Sequence, residues 1–273
     1  MRVKTGEESK GISAKGQTLS GTFPPGQGVQ PLRLCTFVHN CPLLSFSAPP
    51  APGSAPRWPR LTWVEGIALP LGGALLVSLP VFVQAPWVRL SPLTALLFSF
   101  VLLGLGVWQK GQTGALLVGF SGSWLAGCLF WGWLRLHPLW HLPVEAFALP
   151  LALAGLWGPW RRAGQFYLGA LLGTACTDAA MALCGLMPLW PAVLQASPDE
   201  AGALLAAAAS RALAPEHLLV LGCFATAMLV LASWLWGRGP GARLVAACLA
   251  CTLVVDGLFL ALALVSPQLS GLV

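Results

Sequence analysis

Charge is scarce in this chain: 9% of its 273 residues are Asp, Glu, Lys or Arg, against 56% that are hydrophobic. Soluble domains carry about a quarter charged residues, so a water-soluble fold is excluded for want of polar side chains to cover the apolar ones. Tyrosine is almost missing, one residue against 13 tryptophans. The phosphate loop, the dinucleotide fingerprint and the H-E-x-x-H zinc pattern are absent, which removes the reaction classes those motifs announce. Residues 1 to 60 lack the basic region, apolar stretch and small-residue cleavage site of a secretory signal.

Hydrophobic spans of about 18 to 24 residues fill the rest, the length a bilayer core about 30 Å thick requires of helices. The spacing predicts an all-α integral membrane helical bundle of about seven transmembrane helices: Gly66 to Val83, Leu90 to Trp108, Gly114 to Leu134, Pro143 to Trp160, Gln165 to Met187, His217 to Trp236 and Ala242 to Val265. Most tryptophans fall near span ends, where an indole prefers the headgroup region. Trp124 and Trp131, seven residues apart in the third span, are expected to pack in the core.

Two domains of different material follow. Residues 1 to 60, rich in Gly, Pro and Ser, read as a disordered leader, and residues 61 to 273 as the transmembrane domain. No methionine separates Met1 from Met181, so part of the leader is expected to be a misassigned start, with initiation nearer Leu61. The leader carries seven of the 15 basic residues and two acids. The membrane part is therefore nearly neutral, and the net charge of +6 does not point to nucleic acid.

Counting Lys and Arg by loop puts Arg57, Arg60, Lys110, Arg161, Arg162, Arg238 and Arg243 on one side and Arg89, Arg135 and Arg211 on the other. Seven against three predicts a cytoplasmic N-terminus, and an odd span count then sends the C-terminus outward. Between spans five and six, Ser197-Pro198-Asp199-Glu200 is a capping box with proline at the first helical position. It predicts a surface helix to about Ala214 with Leu204, Leu205, Ala208 and Ala212 on one face.

Two acids break the apolar rule. Asp178 and Asp256 lie inside the fifth and seventh spans, where a mid-helix carboxylate costs about 3 kcal/mol on insertion scales. Each sits about 13 or 14 residues into a helix of the same direction, roughly 20 Å of travel, so the two are expected at one depth. Gly169 and Gly173, continued by Thr174 and Thr177, form a small-residue face suited to close helix contact. The structural expectation is a protonated or Arg-paired aspartate that links two helices, held by Thr177, Thr252 or a backbone carbonyl. A second, outer-side cluster comprises Arg135, His137, His141 and Glu145; its expected form is a hydrogen-bonded group at the interface, with no metal bound. Pro138 and Pro143 argue against one continuous helix through it.

Other patterns carry less. Six of the eight cysteines lie in apolar spans and behave as small hydrophobes; Cys248-x-x-Cys251 has no second pair to complete a metal site. Gly119-Phe120-Ser121-Gly122 matches the G-x-S-G of rhomboid proteases, but the histidines of the spans lie on the far side from Ser121. Thr177-Asp178 and Asp256-Gly257 depart from the motifs of presenilin-like aspartyl proteases.

Val77 to Pro92 (VSLPVFVQAPWVRLSP), Phe120 to Leu153 (FSGSWLAGCLFWGWLRLHPLWHLPVEAFALPLAL) and Phe166 to Asp178 (FYLGALLGTACTD) resemble an uncharacterised cyanobacterial multipass membrane family, domain of unknown function 3120. The resemblance spans about residues 62 to 265. It implies a cyanobacterial plasma or thylakoid membrane and no established activity, cofactor or catalytic residue. The leading expectation is a non-catalytic assembly, scaffold or accessory factor in the lipid bilayer, with other membrane proteins as partners. Its alternatives are a proton-coupled carrier using Asp178 and Asp256 and, third, an intramembrane aspartyl hydrolase.

Overall fold

The computed structural model describes residues 63–265. The leader, with Arg57 and Arg60, and the last eight residues lie outside that range. Every regular element among the described residues is helical, and six helices are long and apolar enough to cross a membrane, which makes this an all-α membrane bundle.

The first long helix is α1 (Trp63–Leu79), continued through a π turn, Pro80–Gln84, into α2 (Ala85–Leu90). Pro80 explains the wide turn: it has no N–H and crowds the preceding turn, and the Ala85 N–H closes onto the Pro80 carbonyl one residue further back than in an α-helix. This span therefore runs past the expected end at Val83. After a sharp turn come α3 (Pro92–Gln109) and α4 (Gly111–Leu129), the latter ending in a second π turn, Phe130–Leu134. Lys110 at φ 55° and Gly111 at φ 66° make the hairpin between α3 and α4.

The fourth expected span differs from its forecast. In place of one helix over Pro143 to Trp160, the chain forms a 3-10 turn (Pro138–Trp140), α5 (His141–Glu145), a second 3-10 turn (Ala146–Ala148) and α6 (Leu149–Gly155). Pro138, Pro143 and Pro150 each remove a backbone donor and displace the turn before them. Six long helices and one broken helical run thus stand where seven continuous spans were expected.

The broken run is followed by α7 (Arg161–Leu183), α8 (Trp190–Gln195), α9 (Pro198–Ala212), α10 (Pro215–Trp236) and α11 (Pro240–Val265). The helix from the capping box forms, with Glu200 accepting from the Ser197 N–H at 3.2 Å and hydroxyl at 2.8 Å. Its buried face is Ala201, Leu205, Ala209 and Ala212, while Leu204 is exposed. The forecast face was off by about one residue step, because contact with α8 and α11, not the apolar pattern alone, sets the rotation.

The core gathers Phe120, Trp124, Phe166, Val88, Leu102 and Leu244 between α2, α3, α4, α7 and α11. Trp124 is 2% exposed and donates its indole N–H to the Ala95 carbonyl at 3.0 Å. Ser121 is buried and donates to the Val118 carbonyl at 2.7 Å, a structural use of that hydroxyl.

Candidate functional site

α7 and α11 position the two aspartates. A Cβ added to Gly169 would stand 3.2 Å from Val245 and Cys248, one added to Gly173 would strike the Thr252 hydroxyl, and Thr177 meets Asp256. These contacts advance about one turn at a time on both helices, so α7 and α11 run parallel and in register. The small-residue face lets the backbones approach. Thr177 donates to Asp256 Oδ2 at 2.6 Å, which puts Asp178, the next residue, level with Asp256.

Level does not mean paired. No hydrogen bond joins the two carboxylates among the described residues, and Asp178 is buried against the broken run instead. His141 Nδ1 lies 3.0 and 3.1 Å from the two Asp178 oxygens. The other ring nitrogen, Nε2, is 3.5 Å from Glu145 Oε1, one helical turn along α5, an ion-pair distance a few tenths of an ångström beyond a hydrogen bond. Phe130, buried at the π turn, covers the imidazole with ring centroids 4.4 Å apart.

The broken run reaches this position because it folds back along α7. His141 meets Asp178 and, further along, the Cβ of an alanine at Gly164 would strike the Ala152 carbonyl. Between these two contacts stands Tyr167, whose hydroxyl donates to the Glu145 carbonyl and accepts from the Ala148 N–H at 3.2 Å. It braces the backbone where α5 gives way to the 3-10 turn. Tyr167 and Phe130 were not anticipated in the sequence. A signal for the former existed: the chain's single tyrosine stands about three turns before Asp178, on the same face of α7.

Two groups named separately in the sequence, though both toward the outer side, are contiguous: Asp178, Asp256 and Thr177 from the spans, His141 and Glu145 from the outer cluster. Arg135 and His137 are not brought in. His137 is exposed, and the Arg135 contribution is its carbonyl, which accepts the Trp190 indole N–H at 3.0 Å. Thr174 lies on α7 one turn before Asp178 and makes no side-chain hydrogen bond among the described residues. No group of three or more His, Cys, Asp or Glu is arranged to hold a metal among the described residues.

An imidazole between two carboxyls has a definite chemical capacity. As the cation it donates from both nitrogens; as the neutral ring it donates from one and accepts at the other, where the facing acid then holds the proton. Both states use the same heavy-atom frame, so a proton can enter at one nitrogen and leave at the other.

No curated protein and no solved structure matches the chain. The model of one family does, over residues 73–264, from α1 to the end of α11 and including every residue of the site. The chain accordingly belongs to the family described as a protein of unknown function, DUF3120.

Proposed function

We propose that this chain is a multipass proton-coupled carrier of a cyanobacterial plasma or thylakoid membrane, in which Glu145, His141 and Asp178 pass protons and Asp256 is a second acid at the same level. The observation that carries this reading is His141, with its two ring nitrogens directed at two carboxylates. Ionisable side chains within membrane spans are costly and mark ion and proton paths. Broken helices beside such groups are a recurring construction in carriers. The hydrolase alternative loses ground, since each aspartate is engaged by a different partner and they share no hydrogen bond.

The test is proton flux. Full-length protein in liposomes holding a pH-reporting dye, under a potassium diffusion potential, is expected to acidify the lumen faster than empty vesicles. Asp178→Asn and His141→Ala reduce the rate to that of empty vesicles. Wild-type vesicles that behave as empty ones, or variants with full flux, defeat the reading.

A second reading, the non-catalytic assembly or accessory factor, is favoured by the same contacts acting as a clamp that ties the broken run to α7. On that reading Asp178→Asn lowers the melting temperature, wild-type flux is absent, and the tagged chain co-purifies with other membrane subunits.

A further inference from the structure

We infer that the groove beside the α6–α7 turn, at the end of the bundle opposite the aspartates, binds the phosphate headgroup of an anionic membrane lipid; this is independent of the proton reading. Its lining is Leu156, Trp157, Gly158, Arg161 and Gln165. Arg162 donates to Gln165 Oε1 at 2.8 Å, which occupies the acceptor of that amide and leaves its N–H groups as donors. Arg161 is exposed, and no described residue takes its guanidinium in a hydrogen bond or ion pair. Two donor groups thus line one groove, and a guanidinium matches a phosphate through paired N–H groups.

The other wall is apolar. Leu156 and Trp157, the latter 84% exposed, offer a surface for the glycerol backbone and the first acyl carbons, and an indole is at home at headgroup level. Charge over the whole end is complementary to an anionic lipid. Lys110, Arg161, Arg162, Arg238 and Arg243 lie at the ends of helices here with one acid, Glu65 in the first turn of α1, whereas Glu145, Asp178, Glu200, Glu216 and Asp256 lie toward the opposite end together with Arg89, Arg135 and Arg211. Arg238 and Arg243 are already engaged, one stacked 3.6 Å over the Trp234 ring and the other donating to the Trp236 carbonyl at 2.9 Å. Arg161 is the basic group the groove offers.

The experiment is native mass spectrometry of the full-length, delipidated protein titrated with phosphatidylglycerol or with phosphatidylcholine. One phosphatidylglycerol is expected to bind about fivefold more tightly than phosphatidylcholine, the weight of one basic residue at an anionic surface. Arg161→Gln removes that preference, and Trp157→Ala weakens both lipids. Arg238→Gln, at the same end and outside the groove, leaves it intact. Equal binding of the two lipids, an unchanged preference in Arg161→Gln, or an equal loss in Arg238→Gln overturns the proposal. Full displacement by millimolar inorganic phosphate does so too, because it marks a free-phosphate site.

Discussion

Single side chains at α7 decide how closely the bundle closes. The Gly173 Cα faces the Thr252 hydroxyl at the point where α7 and α11 come into register, so an added methyl has nowhere to go. Gly173→Ala is expected to cost about 1–3 kcal/mol through overpacking and to part Thr177 from Asp256. Thermal unfolding in detergent checks the first effect. Proton flux checks the second, since a shift of register alters the level of the acids. Gln84 poses a comparable case in the core. It is fully buried, its amide donates to the Trp124 carbonyl and approaches Cys128 Sγ at 3.1 Å, and its Oε1 has no hydrogen-bond partner among the described residues. A Cβ at Gly127 would land on that amide. Gly127→Ala therefore destabilises more than Gly104→Ala, where nothing stands within 4 Å; paired melting curves with equal losses would refute this.

Among the elements, the broken run from Pro138 to Gly155 matters most, because its irregularity brings His141 to Asp178. A straight helix through the same residues would pair the Glu145 carbonyl and the Ala148 N–H within itself and leave Tyr167 with no free backbone groups to brace. The α9 helix illustrates the opposite case, an element specified locally. The Ser197 N–H and hydroxyl hold the Glu200 carboxyl below the usual carboxylate range. A depressed carboxyl stabilises the folded helix above its unfolded pKa, and that contribution disappears as pH falls through the lower folded value. Ser197→Ala is accordingly expected to speed amide exchange in the first turn of α9 near neutral pH. At a pH low enough to protonate Glu200, the difference between wild type and variant should shrink to what the Ser197 hydroxyl contributes by accepting from the Glu200 backbone N–H; a difference unchanged across the titration would contradict the assignment.

At the scale of the whole molecule, the parallel course of α1, α4, α7 and α11 requires the chain to return from the end of α4 to the start of α7, and the broken run makes that return. Gly66 and Ala74 meet Arg243 and Cys251, and Gly119 and Gly122 meet Ala163 and Tyr167, each pair advancing in the same direction. In a cysteine-free background, His137→Cys and Gly158→Cys, which flank the broken run, are expected to react with an impermeant maleimide from opposite sides of a sealed membrane. Labelling from one side would mean that the run from Pro138 to Gly155 turns back without crossing.

The helical class, the lengths of most spans, the capping box of α9 and the common level of Asp178 and Asp256 were all determined by the sequence alone. Each follows from a short-range rule: apolar length, cap chemistry, or rise per residue along helices of known direction. The meeting of His141 with Asp178, 37 residues away, was decided only by tertiary structure. It depends on how three prolines bend the run, on the Gly164–Ala152 approach that lays it along α7, and on the face that α7 turns toward it, all set by packing of the bundle as a whole. The same holds for Arg135 and His137, whose spacing with His141 suggested one cluster: spacing measures distance along a regular helix, and here the helix breaks between them.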